Sequence, residues 1–343
     1  MIAAYEIRKA LKTDRESLID FIKTDWSENH IFVKDPSFFD YFYANEKDYN
    51  FIVGVDLGNN QIVGILGFQS YLTESSKDYF LALWKVRKGI SDTALGLKLL
   101  NYLKTEYHPD HLHCLGINKK TINIYKFQGY TVGLMDQFFK LNPNVVDFKI
   151  AEVKVLPVDT STSSLRYTFN EVNQDQISEI YIEIQTFSPK KPLSLFLHKY
   201  SNHPYYKYNI FQVFEKNLVV GIIVLRKIDI QERASLRVID YIGDIELFPT
   251  MINDLSIELL KFNIEYVDIS AAGLDQNKMK EAGFSLLSEE NDKNETIVPN
   301  YFEPFEKKRV DIYYFTSMKT SYYFFKGDGD QDRPSISKVA RNA

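Results

Sequence analysis

Apolar residues recur on one helical face over residues 14 to 25. Leu18, Ile19, Phe21 and Ile22 face one way, with Asp and Lys opposite. A polar, aromatic loop follows, Asp25-Trp26-Ser27-Glu28-Asn29-His30-Ile31-Phe32. Asp35-Pro36 then opens a short helix carrying Phe38, Phe39, Tyr41 and Phe42. The pattern changes to β-branched runs over Asn50 to Val55 and Gln61 to Phe68, joined by Asp56-Leu57-Gly58-Asn59-Asn60, which predicts a hairpin. Tyr79 to Val86 reads as the next strand, Thr93 to Tyr107 as an amphipathic helix, and the stretch through His113 and Cys114 as a further strand. A helix stopping at Gly129-Tyr130 completes the series.

The polar stretch Asp159-Thr-Ser-Thr-Ser-Ser164 marks a boundary, dividing the chain into 1–155 and 156–343. The second part repeats the first. Residues 171 to 186 read as a helix and Pro189 to Asn209 as a Pro- and Tyr-rich connection. Phe211 to Phe214 and Leu218 to Arg226 form a hairpin. Strand, helix, strand and helix follow, up to Gly283-Phe284. The hairpin glycines Gly64 and Gly221 precede the stops at Gly129 and Gly283 by nearly the same distance, with five elements between them in the same order. Such spacing is a domain duplication rather than a solenoid. The predicted fold class is α+β, two tandem domains, each a mostly antiparallel mixed sheet flanked by helices.

Composition narrows the function classes. A net charge of −5 gives no global basic field for nucleic acid or anionic membrane. The single cysteine, Cys114, excludes an internal disulfide framework and suits a reducing compartment. No apolar run is long enough to cross a bilayer and no signal peptide is read, so a cytoplasmic location is expected. The 23 Tyr and 25 Phe supply core and cleft walls.

The stretch from Phe80 to Tyr130 carries the chemistry. A strand running through a turn into a helix presents free backbone amides to an anion. Here that turn is Ser91-Asp92-Thr93-Ala94-Leu95-Gly96, and Ser91 or Thr93 is expected to cap the helix. Lys85, Arg87, Lys88 and Lys98 add positive charge. Asn118, Tyr125 and Gly129-Tyr130 follow at the far end. These residues resemble the acyl-CoA site of the GNAT superfamily of N-acyltransferases, with Ala94 and Ser91 departing from the superfamily's Gly and Arg/Gln. The resemblance implies a cofactor site of Trp84, Lys85, Val86, Ser91, Thr93, Ala94, Leu95, Gly96 and Asn118. It also implies that Tyr125 protonates the departing thiolate. Cys114 reads as a buried structural cysteine rather than an acyl nucleophile. The matching turn of the second copy contains Asp244 and Glu246, which repel a pyrophosphate, so one acyl-CoA per chain is expected.

The acceptor side is expected around Trp26, Asn29, His30, Asp35, Tyr241, Asp330 and Arg333, with His30 a candidate for moving the amine's proton. The acids of Lys326-Gly-Asp328-Gly-Asp330-Gln-Asp332-Arg333 alternate as in a calcium loop, but no bidentate Glu follows, so no metal is expected. The whole pattern resembles tandem GNAT-type sugar N-acyltransferases. It implies transfer from acyl-CoA to the amine of a dTDP-linked 3-amino-3,6-dideoxyhexose, for polysaccharide biosynthesis. Aminoacyl transfer to peptidoglycan precursors and non-catalytic acyl-CoA binding are the alternatives.

Overall fold

The computed structural model describes residues 5–154, 165–177, 181, 184–260, 263–287, 296–303 and 305–334. Two seven-membered strand rows organise it. The first sheet contains β1 (Tyr5–Leu11), β2 (Asp48–Asp56), β3 (Gln61–Leu72), β4 (Lys77–Val86), β5 (His111–Leu115) and β6 (Thr131–Leu134). The second contains β7 (Asp136–Leu141), β8 (Tyr167–Glu171), β9 (Asn209–Glu215), β10 (Leu218–Ile230), β11 (Arg233–Gly243), β12 (Ile264–Ala272) and β13 (Ser285–Leu286). A small ribbon pairs β14 (Tyr301–Phe302) with β15 (Phe305–Glu306), and the chain ends through β16 (Tyr313–Thr316) and β17 (Phe324–Phe325).

The strand orders reveal the duplication. The first sheet runs β1-β2-β3-β4-β5-β16-β6 and the second β8-β9-β10-β11-β12-β7-β13. In each, the sixth strand comes from the other half of the chain. β16 slots between β5 and β6, and β7 between β12 and β13. The exchange is reciprocal, so sheet membership does not follow the boundary expected at 155/156. Sheets that share strands in this way bury each other's edges and cannot separate without breaking ladder hydrogen bonds.

The helices obey the same plan. α1 (Arg15–Asp25) buries Leu18, Ile19, Phe21 and Ile22, the face expected from the sequence. α2 (Ile31–Lys34) and α3 (Pro36–Tyr43) follow, packing Phe32, Phe38, Phe39 and Tyr43 into one aromatic cluster with Phe51. α4 (Leu95–Tyr107) connects β4 to β5, and α5 (Ile122–Phe127) connects β5 to β6. Their counterparts are α7 (Phe248–Leu259) and α8 (Gln276–Glu281).

Two expectations change. The helix expected over 171–186 is absent from the described residues there. Tyr167–Glu171 is instead the edge strand β8, and only a 3₁₀ turn, Gln174–Gln176, follows. Within the expected connection 189–209 lies α6 (Leu193–Tyr200), which begins directly after Pro192 and buries Phe196 and Tyr200. No helix among the described residues is long and apolar enough to cross a membrane.

Candidate active site

The two copies differ most where their central parallel strands part. In the first copy β4 and β5 pair only at Asp78–Phe80 with His111–His113. This end is pinned by Asp78, which accepts from His111 Nδ1 at 2.8 Å, and by His113 Nδ1 against Thr316 Oγ1 at 2.8 Å. Beyond Phe80 the strands splay. The register of β3 against β4 shifts between Ile65 and Gly67, and Leu83 there takes a left-handed φ of 38°. An extra residue of this kind bends a strand and frees its edge.

In the second copy the equivalent opening is closed. β11 and β12 pair from Ala234 with Ile264 to Val238 with Ile269. The chain's tail then enters the gap. β17 pairs with Ala271 and Ala272 of β12, and Gly327 N–H donates to the Ile239 carbonyl of β11 at 2.7 Å. Backbone fills the space that the first copy leaves open. Tyr241, expected on the acceptor side, is a correction. It is fully buried in this copy, and its hydroxyl donates to the Asp244 carbonyl at 2.8 Å.

At the open splay, Trp84, Val86, Gly96 and Tyr125 converge. A Cβ on Gly96 would lie 3.5 Å from both Trp84 Nε1 and Val86 Cγ2, ordinary packing contact. Trp84 and Tyr125 rings are 6.0 Å apart, and Tyr125 packs on Phe315 of the exchanged strand at 4.4 Å. Burial pushes the Tyr125 hydroxyl up, and the nearby Cys114 thiol raises it further. Tyr125 therefore carries its proton at neutral pH, as a donor must. Cys114 is half-buried, and burial raises its thiol well above the usual range, with Asp330 adding to the effect. It is no ready nucleophile.

The turn before α4 has a feature that the sequence reading passed over. Neither Ser91 nor Thr93 caps the helix, whose N-cap is Ala94 with no side-chain cap; Asp92 instead closes the turn just before it. Its Oδ1 accepts from Ala94 N–H at 3.0 Å, its carbonyl accepts from Leu95 N–H at 3.1 Å, and its Oδ2 pairs with Lys98 at 2.6 Å. The Gly96 and Leu97 amides keep no partner among the described residues. The start of α4 thus presents two unpaired amides, with a carboxylate at their rim. Arg87 pairs with Asp25 at 3.0 Å. Asn118 is exposed and caps the next turn, its Oδ1 accepting from Lys120 N–H at 2.9 Å.

Across the splay lie Trp26, Lys85, His30 and Arg333. Lys85 Nζ stands 5.6 Å from the Trp26 ring centroid, and Trp26 meets His30 edge-on at 6.4 Å. Arg333 lies over Phe32 at 5.4 Å and pairs with Asp330 at 3.1 Å. His30 caps α2, its Nδ1 accepting from Phe32 N–H at 3.3 Å. Burial, with Arg333 adding to it, lowers its pKa to about 3. The ring is therefore neutral and a weak base. Asp35 is also a cap, accepting from Phe38 N–H at 3.1 Å and from the hydroxyls of Ser37 and Tyr205. Asn29 sits exposed in the α1–α2 loop.

The tail that carries Asp330 and Arg333 is anchored into both copies. Asp328 is fully buried and 3.0 Å from Lys191 Nζ, which also pairs with buried Asp240. Lys199 donates to the carbonyls of Gly327 and Gly329, the latter at 2.8 Å. Gly329 N–H donates to Tyr71 Oη at 3.1 Å. Both copies therefore hold the tail, which presents Asp330 and Gln331 to the first copy's splay.

No family model matches the sequence, and no curated protein is recognisably similar to it. Its fold does match solved structures. A GCN5-related N-acetyltransferase from Anabaena variabilis ATCC 29413 superposes with a TM-score of 0.55 at 10% identity, covering 91% of this chain and 72% of that one. One from Kribbella flavida gives 0.53 at 8% identity, covering 92% and 71%. A probable N-acyltransferase from Enterococcus faecalis V583 gives 0.55 at 10% identity, covering 91% and 72%. Two mixed, mostly antiparallel sheets, each with a parallel pair at its centre, give this chain an α+β fold similar to that of these proteins.

Proposed function

We propose that the protein is an acyl-CoA-dependent N-acyltransferase with one acyl-CoA site per chain, in the first copy. The observation that carries this reading is the contrast between the two splays. One is open between β4 and β5, with free amides at Gly96 and Leu97 and Tyr125 at its edge. The other is filled by β17 and Gly327.

In this reading the pyrophosphate of CoA rests against the start of α4, and the pantetheine arm runs along the exposed edge of β4 past Trp84. The acceptor amine attacks the thioester carbonyl, the carbon–sulfur bond breaks, Tyr125 gives its proton to the departing thiolate, and the proton the amine sheds passes through water to the tyrosinate, restoring Tyr125. The acceptor enters between the α1–α2 loop and the tail. Trp26, exposed at the surface, supplies a ring face there, and Lys85, Asp330 and Arg333 supply charge. His30, uncharged at neutral pH, is a hydrogen-bonding wall of this side. A nucleotide-linked amino-deoxy sugar suits such a lining, since it offers an amine, a flat base and a pyrophosphate. The test is thiol release from acetyl-CoA across a panel of amines that includes dTDP-linked amino sugars. Release with an amino-sugar nucleotide supports the reading, and an unchanged thiol titre across the panel refutes it.

Asp92 favours a second reading, non-catalytic acyl-CoA binding, because its carboxylate occupies one of the amides a pyrophosphate would use. CoA binding without turnover of any amine would select it.

A further inference from the structure

β10 and β11 place two arginines directly opposite one another, Arg226 and Arg237. Both are buried, and like charges in such a cross-strand pair repel unless each finds a counter-ion. Arg237 does. It forks onto Asp268 at 2.6 to 3.1 Å and donates to the carbonyls of Pro299 and Asn300. Arg226 is met less fully. Its guanidinium is 3.1 Å from Asp332 and 3.8 Å from Glu303, with its plane against Tyr206 at 3.8 Å, and its Nε is buried without a hydrogen-bond acceptor.

A third cation joins them from the tail. Lys326 is only 3% exposed, yet among the described residues its ammonium has no hydrogen-bond or ion-pair partner. Its one close neighbour is the Tyr301 ring, 5.5 Å away, and Tyr301 is itself exposed at the surface. The charged groups facing Lys326 are Arg226 on β10, Arg237 on β11, Asp268 on β12 and Asp332 on the tail. Burial, then repulsion by the arginines, lowers its pKa to about 7. A buried guanidinium nitrogen without an acceptor, in a cluster with an almost fully buried ammonium that has no ion-pair partner among the described residues, is a costly arrangement for structure alone.

We propose that Lys326 and Arg226 Nε form a binding site for an anionic oxygen group, the phosphoryl group of the acceptor, entered past Tyr301. Lys326 lies four residues before Asp330, so their Cα atoms are at most about 14 Å apart. An acceptor anchored here reaches the splay with its amine only if several bonds separate amine and phosphate. The assignment rests on the reading of the tail as the acceptor side, and it adds residues that reading does not use.

The experiment is thermal unfolding of the full chain with inorganic pyrophosphate, at constant ionic strength and with saturating CoA, for wild type, Lys326→Met and Lys326→Arg. Wild type should be stabilised with a Kd that tightens from pH 8 to pH 6. Lys326→Met should weaken that Kd by about tenfold or more, and Lys326→Arg should retain most of it. An equal shift in Lys326→Met, or no shift in wild type, overturns the site. CoA alone reports on the first-copy splay. A missing CoA shift therefore counts against the acyltransferase reading, while the lysine dependence of the pyrophosphate shift tests this site separately.

Discussion

Gln331 donates its side-chain amide to the Leu115 carbonyl at 3.0 Å, laying the tail on the edge of β5 that faces the open splay. Gly116, with φ +77°, makes this approach possible, because a Cβ there would stand 2.4 Å from Gln331 Nε2. The segment that closes the second copy through β17 thus borders the site in the first. A defect in the tail should damage both copies.

Asp328 is the keystone of that connection. Replacing it by Ala leaves Lys191 with Asp240 alone and frees the Phe325 N–H that Asp328 accepts at 2.9 Å. The expected loss is about 3–5 kcal/mol of unfolding free energy, read from urea denaturation. A loss under about 1 kcal/mol would mean that the tail is held by backbone contacts instead.

Tyr125→Phe should lower kcat with little change in acyl-CoA affinity, since the ring still packs on Phe315 and only the proton donor is gone. Steady-state kinetics beside equilibrium binding of acetyl-CoA separates the two effects. An unaltered kcat would remove Tyr125 as the acid.

Two changes at the α4 turn should move acyl-CoA binding in opposite directions. Asp92→Asn keeps an acceptor for Ala94 N–H but removes a negative charge, so affinity should rise several-fold, most at low salt. Gly96→Ala has room for its Cβ against Trp84 and Val86 and should hold stability within about 1 kcal/mol, while crowding a bound pyrophosphate and weakening affinity. Calorimetric titration with acetyl-CoA at two salt concentrations reads both.

Acid should destabilise the fold through its buried histidines. His30 and His203 are both lowered to about 3, chiefly by burial, against an ordinary imidazole value of 6.5. Between these values the unfolded chain binds more protons, so their contribution is fully present above pH 6.5 and is lost as pH falls towards 3. Each group gives a slope of up to about 1.4 kcal/mol per pH unit. Urea unfolding from pH 7 to pH 4 should show a shallower decline in His203→Phe than in wild type. Parallel curves would contradict this.

The repeated elements were legible because their apolar runs keep period two in strands and the helical period in α1 and α4. What the sequence hid has physical causes. β7 and β16 are short and pair with the other copy, and β17 is two residues long, so nothing local marks them. α6 lies among prolines and tyrosines that read as a connection. At the site, Trp84, Gly96 and Tyr125 do converge. Asp35 and Asn118 satisfy backbone amides nearby, as Asp and Asn side chains do at helix starts. Asp92 could have been found by the related turn rule, since Asp accepts from the backbone N–H two residues on, here that of Ala94. Asp328 could not, because its partners Lys191 and Tyr71 lie far away along the chain.

The central claim is one acyl-CoA site per chain, in the first splay. Calorimetric titration of the full chain with acetyl-CoA should give a stoichiometry of about one. Ala94→Asp, which sets a second carboxylate at the start of α4, should abolish it, and Asp244→Asn in the second copy should leave it unchanged. Two sites, none, or a single site lost with Asp244→Asn and kept with Ala94→Asp would contradict the account.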